Sequence, residues 1–274
     1  MLDLTGRLRT FFHSNVDEIP DRLLKVVHRR MKPVITDNIE LLQSFSRKQR
    51  EYFALKTGTM VLYIGDEVAE VVKAEEEAAL RAAPNGYGLE QLVGLNIGCG
   101  ARLISPYLLP VDIMRTNHYG TGAGEHAALT ATALLSLSDD LPFKTNSVDY
   151  IVALHMLEHI ANPVETVNHW LDVIKPGGGI GIVVPDWRYT WDSRKDKGKF
   201  SHKWNPTPEF LMRLHAEHWH DRCELEHLAT YDFRLSFDVV LRKHGEFKPF
   251  QLPDPNKLRS GHELHEDGEF LGAF

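Results

Sequence analysis

The spacing of apolar residues changes twice along the chain. Up to residue 90 they recur at helical intervals among charged residues, and a stretch rich in Ala and Glu predicts a helix from Asp66 to Ala83. Between residues 91 and 185, short apolar runs alternate with amphipathic stretches. These runs predict strands at 91–97, 109–113, 131–137, 148–154 and 180–184. The remainder is rich in His and aromatic residues and predicts a helix from Pro208 and a strand at 237–241.

The boundaries of one helix are marked by its capping residues. Asn162 is a favourable N-cap, Pro163 suits the first helical position and Glu165 the first turn, while Pro176 and the glycines after it should end the helix. Apolar strands that alternate with helices favour a parallel sheet covered on both faces. We therefore divide the chain into a helical N-terminal extension (1–90), a domain built on the sheet (91–250) and a polar tail (251–274).

Composition narrows the class of protein. The 274 residues are 43% hydrophobic, and their net charge of −7 argues against a nucleic-acid or anionic-membrane partner. There are only two cysteines, Cys99 and Cys223, and no apolar run long enough to span a bilayer. We expect a cytoplasmic protein, and the oligomeric state stays open, with a homodimer as one option.

A glycine turn follows the first predicted strand of the sheet. The turn is Gly98-Cys99-Gly100, and Asp112 stands at the end of the next strand. Glycines let the backbone approach a ligand closely, and ligands of open α/β sheets bind beyond the carboxyl ends of the strands. An acid in this place could accept both hydroxyls of a ribose. The pattern indicates a nucleotide-type site, although a plain tight turn would also explain the glycines alone.

Four segments extend this pattern in a fixed order. They are LNIGCG (95–100), PVDI (110–113), DDLPFKTNSVDYIVALHMLEHI (139–160) and IKPGGGIGIVVPD (174–186). Together, over Leu92 to Asp192, they resemble class I S-adenosylmethionine-dependent methyltransferases, and most of all the subgroup with LN-x-GCG and a Pro-Asp-x-Arg-Tyr segment after the fifth strand. The resemblance implies an α/β, Rossmann-like, doubly wound and mostly parallel seven-stranded sheet. It also implies S-adenosylmethionine as cofactor and O- or N-methylation of a small-molecule or sugar-like acceptor.

The resemblance further implies a cofactor site along the carboxyl ends of the strands. Its residues are Asn96, Gly98, Cys99, Gly100, Asp112, Asp139, Asp140, Leu141, Leu154 and His155. Asp112 would bind the ribose, 139–141 would lie near the adenine, and Leu154 and His155 near the methionine part and its methyl group. Asn96 stands where the first motif of the family usually has an acid.

The same resemblance places a catalytic base and an acceptor site. His155 is the first candidate for the base because a neutral imidazole can accept a proton near pH 7. Tyr189 is a weaker candidate. The predicted acceptor-binding residues are Trp187, Arg188, Asp192, His202 and His218. Aromatic rings and charged groups suit a polar organic molecule, and the N-terminal helices are expected to cover the cofactor mouth.

Three further patterns allow other interpretations. His155-x-x-Glu158-His159 has the spacing of an inverted zinc-protease motif, in which both imidazoles would share a helix face. A C-terminal His/Cys cluster offers ligands to zinc or iron: His215, His218, His220, Cys223 and His227. We predict no metal site, but keep as alternatives a metal-dependent enzyme using that cluster and a non-catalytic cofactor-binding accessory protein. The acidic run 75–77 is interpreted as a solvated helix face.

Overall fold

The computed structural model of the chain describes residues 66–99, 104–105, 107–113, 134–195, 201–231 and 235–249. Most of the predicted N-terminal extension, and the tail at 251–274, lie outside these ranges. The described helices are α1 (Asp66–Leu80), α2 (Pro163–Val173) and α3 (Pro208–Leu214). The strands are β1 (Gly94–Ile97), β2 (Leu108–Asp112), β3 (Leu134–Leu135), β4 (Val148–Leu154), β5 (Ile174–Pro185), β6 (Cys223–Thr230) and β7 (Ser236–Lys243).

All seven strands join one mixed sheet in the order β3-β2-β1-β4-β5-β7-β6. Five neighbouring strands run parallel, namely β3, β2, β1, β4 and β5. In contrast, β7 is antiparallel to β5, and β6 is antiparallel to β7. One edge strand, β3, has only two residues. The expected mostly parallel α/β sheet of Rossmann-like type is therefore confirmed. None of the described helices combines the length and hydrophobicity that a membrane crossing requires.

Helices cover both faces of the sheet. On one face Ala79 of α1 and Ala82 of the turn after it join a cluster with Tyr150 and Val152. On the other face α2 contributes Trp170 to the larger core. A side chain at Gly181 in β5 would collide with the Ala79 carbonyl group of α1. The absent side chain thus lets α1 lie directly on the sheet, which brings this helix to the edge where β4 and β5 end.

The sequence pattern was wrong for two elements. The helix from Pro163 ends at Val173, and β5 already begins at Ile174, so the glycines that were read as a stop signal lie inside a strand. The strand β6 was not predicted at all. It is an edge strand with a single neighbour, so most of its residues stay partly or fully exposed. Half of them are polar, and the apolar pattern that marks a buried strand is weak.

Asn162 does not act as predicted at the start of α2. It occupies the N-cap position, but its side chain makes no capping hydrogen bond. The carbonyl oxygen of Asn162 instead accepts hydrogen bonds from the amide and the hydroxyl of Thr166. Pro163, which has no amide hydrogen to satisfy, holds the first helical position as expected.

Candidate functional site

The ends of four strands meet at one edge of the sheet. Because β1, β2, β4 and β5 are parallel neighbours or near neighbours, the residues that follow them lie at the same edge. These residues are Gly98, Asp112, His155 and Asp186. Ser236, the first residue of the antiparallel strand β7, reaches the same edge because it pairs with Pro185.

The glycine turn is fixed to the neighbouring strand. Gly98 adopts a φ of 63°, in the left-handed region, and the amides of Gly98 and Cys99 both donate to the Val111 carbonyl, at 2.8 and 3.3 Å. A side chain at Gly98 would collide with Cγ of Met156, which follows His155. The turn therefore lies directly beside the end of β4. Gly100 lies outside the described residues.

Asp112 lies beside this turn. Burial raises the pKa of the Cys99 thiol well above its usual range, and the nearby charge of Asp112 raises the same pKa further. Asp112 is partly exposed at the end of β2, whereas Asn96 lies within β1 and is only 2% exposed. A carboxylate next to a glycine turn can accept hydrogen bonds from a ligand with vicinal hydroxyls, such as a ribose.

The predicted adenine-side residues differ in accessibility. Asp139 is exposed and Asp140 is half-buried. Leu141 has a fully buried side chain in the core, and its amide donates to Nε2 of His169 at 2.8 Å. Leu154 packs into the cluster beneath α1. The side chains of Leu141 and Leu154 thus serve the packing of the sheet, and those of the two aspartates face outwards.

His155 is held by a buried carboxylate on α1. Its Nε2 lies 2.8 Å from Oε1 of Glu75, and the hydroxyl of Ser236 donates to the same oxygen at 2.7 Å. His155 itself has a φ of 49°, a backbone conformation that is uncommon for a side chain of this size. Glu75 is 4% exposed, so its interpretation as part of a solvated helix face was wrong.

A second group of titratable side chains surrounds Glu158. Oε1 of Glu158 lies 3.7 Å from Nε2 of His159, 3.9 Å from Nε2 of His202 and 4.0 Å from Nδ1 of His155. Burial raises the pKa of the Glu158 carboxyl, and the adjacent imidazoles of His155 and His159 act against that rise. His155 precedes the short 3₁₀ turn 157–159, so the zinc-protease arrangement on one helix face is not formed.

The segment after β5 is organised by two carboxylate–guanidinium pairs. Asp186 is 3% exposed and binds Arg188 through both oxygens, which raises the pKa of that guanidinium. Hydrogen bonds from the side chains of Arg194 and, to a smaller extent, Asn205 hold the pKa of Asp192 well below its usual range. Aromatic surface stays uncovered in the same segment: Tyr189 is 49% exposed and Trp191 is 65% exposed.

Trp187 and His202 are also placed by neighbours near this segment. The guanidinium of Arg194 stacks over the Trp187 ring at 5.1 Å. The His202 side chain is largely buried, and its ring lies 5.7 Å from that of Trp191. His202 is therefore the predicted acceptor residue that lies closest to the charged groups at the end of β4, through Glu158.

Within the described residues, side chains of the C-terminal His/Cys cluster contact separate partners. Nε2 of His215 lies 2.9 Å from the Cys223 carbonyl, the Cys223 thiol lies against the Trp219 carbonyl, and Nε2 of His227 lies 3.2 Å from Asp238. Cys223 begins β6 opposite Lys243, at the far edge of the sheet from His155. His218, which is 42% exposed, lies five residues before Cys223 and is not brought to the residues around Glu158.

Known proteins resemble the central part of the chain. The sequence model of the methyltransferase-domain family matches residues 95–182. An uncharacterized protein of Methanocaldococcus jannaschii, MJ1123, is 28% identical over 139 residues, which are 49% of this chain and span 64% of the length of that protein. The chain thus covers less than two thirds of this relative.

Solved structures of methyltransferases are similar to part of the chain. An S-adenosylmethionine-dependent methyltransferase from Aquifex aeolicus is 14% identical, with a TM-score of 0.44, over 68% of this chain and 97% of that one. An S-adenosylmethionine-dependent methyltransferase from Mesorhizobium loti is 13% identical, with a TM-score of 0.43, over 62% and 98%. The family match covers three of the four sequence motifs in full and the fourth in part. Residues 95–182 thus match the methyltransferase-domain family, and S-adenosylmethionine is the cofactor that this match indicates.

Proposed function

We propose that the protein transfers a methyl group from S-adenosylmethionine to an oxygen or nitrogen atom of a small-molecule or sugar-like acceptor. One observation carries the proposal. His155, hydrogen-bonded to the buried Glu75, lies at the same sheet edge as the turn of Gly98, and Met156 contacts that turn. A group able to move a proton is thus next to the place where the cofactor is expected.

The cofactor side of this proposal rests on the glycine turn and Asp112. The cofactor supplies a methyl group already activated on a positively charged sulfur. Asp112 would accept hydrogen bonds from the ribose hydroxyls, and Asp139 and Asp140 would lie towards the adenine. Gly98 accommodates the positive φ that the turn requires, and its lack of a side chain leaves room for Met156 beside the turn.

His155 would remove the proton from the acceptor. Glu75 accepts a hydrogen bond from Ser236, and its charge favours the tautomer of His155 in which Nε2 carries the hydrogen. Nδ1 is then the basic nitrogen. Holding the imidazole in one tautomer and one orientation is what a general base needs for transfer along a line. Tyr189, whose hydroxyl-bearing ring is half-exposed, is the alternative base.

The acceptor would lie between the end of β4 and the segment after β5. The exposed rings of Tyr189 and Trp191 offer stacking surface, and Trp187, Arg188, Asp192 and His202 border it. His218 is the weakest of the proposed acceptor residues because its helix leads to the opposite edge of the sheet. The residues N-terminal to α1 are proposed to cover the mouth of the site.

The experiment is a turnover assay with labelled cofactor and an acceptor screen. Polar metabolites and sugars are incubated with the full-length protein, and mass spectrometry detects the gain of one methyl group in place of a hydrogen. We expect turnover with a small acceptor and none with nucleic acid. Tight cofactor binding without turnover on any acceptor would favour a non-catalytic accessory protein.

The variant His155→Asn tests the proposed base. Asparagine keeps a polar side chain of similar size but cannot accept the proton, so we expect turnover to fall by about a hundredfold to ten-thousandfold. Cofactor affinity, measured by calorimetry, should change little. Normal turnover in the variant would exclude His155 as the base and make Tyr189→Phe the next test.

A further inference from the structure

Three metal-ligating side chains converge beside the proposed base. They are Glu158 and His159, on the turn after β4, and His202, on the segment that precedes α3. One ligand atom from each of the three lies within 4.8 Å of the others. Oε1 of Glu158 is 3.7 Å from Nε2 of His159 and 3.9 Å from Nε2 of His202, and the two imidazole rings lie 4.9 Å apart.

Two hydrogen bonds to main-chain carbonyls hold the two segments together. The amide of Lys203 donates to the Glu158 carbonyl at 2.7 Å, and the indole of Trp204 donates to the Leu157 carbonyl at 3.2 Å. The residue that carries the second imidazole is therefore docked on the turn that carries the carboxylate. The convergence of the three side chains follows from main-chain contacts and not from the free rotation of surface groups.

The carboxylate at the centre is buried without adequate partners. Glu158 is 1% exposed, and within the described residues its Oε2 has no hydrogen-bond partner. Its Oε1 is 3.7–4.0 Å from three imidazole nitrogens, which is longer than a hydrogen bond. The buried Nδ1 of His159 likewise makes no hydrogen bond among those residues. Buried polar groups normally have partners, and a buried carboxylate calls for a cation.

We propose that Glu158, His159 and His202 bind a divalent first-row transition-metal ion, with Zn²⁺ as the first choice. Two imidazoles and one carboxylate are ligands that zinc, iron and cobalt accept. Bonds of about 2.0–2.2 Å in a tetrahedral site place ligand atoms roughly 3.4 Å apart, so the observed spacing needs only small side-chain rotations. Three protein ligands leave a coordination position open for water or a ligand.

His155 is not part of the proposed ligand set. Its Nε2 already contacts Glu75, and its Nδ1 is 4.0 Å from the nearest Glu158 oxygen. The metal site is therefore distinct from the proposed base, although His202 also borders the proposed acceptor site. Metal binding is tested without measuring activity for this reason.

The test uses the full-length protein, stripped with a chelator. Zn²⁺ is titrated against a competing chromophoric chelator, and Co²⁺ is added separately because its visible absorption reports the number and type of ligands. We expect one equivalent of Zn²⁺ to bind in competition with the chelator and a Co²⁺ spectrum of low coordination number. Glu158→Gln and His202→Asn should each weaken binding at least about tenfold to a hundredfold.

The control is His244→Ala. This imidazole is exposed and lies in the loop after β7, so its loss should leave the affinity for Zn²⁺ unchanged. Circular dichroism checks that each variant is folded. The Co²⁺ spectrum of the unmutated protein reports the ligands even if a variant does not fold. The proposal would be overturned if Zn²⁺ did not bind stoichiometrically, or if the control and both ligand variants bound it equally well. The three side chains would then be interpreted as a cluster of hydrogen-bonding groups.

Discussion

Single residues at the carboxyl edge take their roles from what packs beside them. Glu75 belongs to a run of three acids that looks solvated, yet it is buried and contacts both His155 and Ser236, whereas the side chain of Glu77 on the same helix is 66% exposed. The difference arises because α1 lies against the sheet with one face only. Two glutamates that stand two positions apart thus become a positioning residue and a surface charge.

This contrast predicts different effects for the same substitution. Glu75→Gln keeps the shape but removes the charge that selects the tautomer of His155, so we expect kcat to fall about tenfold or more. The KM for cofactor should change little, which distinguishes a positioning role from a general loss of structure. Glu77→Gln is the matched control and should behave as the parent in steady-state kinetics. Equal kcat in both variants would remove Glu75 from the site.

Asp112→Ala tests the ribose contact. Loss of a charge-assisted hydrogen-bond pair should reduce cofactor affinity by about tenfold to a hundredfold, or roughly 1.5–3 kcal/mol. Calorimetric titration with S-adenosylmethionine measures the change, and the variant should unfold at a similar denaturant concentration to the parent. An unchanged affinity would mean that Asp112 does not bind the ribose.

Contacts between elements decide which strands and helices reach the site. Gly181 in β5 leaves room for the carbonyl group of Ala79 in α1, and Gly179 for that of Ala82 in the turn after α1. That close approach carries Glu75 to the end of β4. The same glycines, read from the sequence alone, mark the end of a helix and a loop, because a glycine run has no side chains to reveal a strand.

Gly181→Val should therefore push α1 away from the sheet. The added side chain collides with backbone, which cannot rotate aside, so we expect a loss of about 1–3 kcal/mol in the free energy of unfolding. Chemical denaturation followed by circular dichroism measures it. Activity should fall more than stability alone explains, because Glu75 moves with the helix. Gly86→Ala, with no atom close to the added carbon but a positive φ, is a comparison in which only backbone strain acts.

At the scale of the whole molecule, both cysteines report the integrity of the core. Cys99 and Cys223 are the only cysteines of the chain, and both are buried. Burial raises the pKa of Cys223 to about 12 and that of Cys99 well above its usual range. The reactive thiolate is therefore scarce at pH 8 in the folded protein.

A thiol-reactive dye should accordingly label neither cysteine rapidly at pH 8. Both should react at once in denaturant, where the unfolded thiols have ordinary pKa values. Since a raised thiol pKa disfavours the thiolate, labelling of the folded protein should become faster as the pH increases. Rapid labelling of one cysteine under native conditions would show that its part of the core opens locally.

The sequence by itself determined the strands β1, β2 and β4, the glycine turn and the position of Asp112. Each depends on local chemistry: an apolar run, a backbone conformation open to glycine, or an acid at a strand end. From these residues the sequence also indicated the methyltransferase domain and its cofactor, and the family match at 95–182 agrees.

Only the tertiary structure decided which distant side chains meet. The pairing of His155 with Glu75, 80 residues away, and the approach of His202 to Glu158 depend on the packing of α1 and on backbone contacts between separate segments. The His/Cys cluster looked the better metal site in sequence because its residues are close along the chain. In the fold, its members are divided between the end of a helix and an edge strand. The side chains of Glu158, His159 and His202, from two distant segments, converge instead. The reason is that proximity in space follows from packing and not from spacing along the chain.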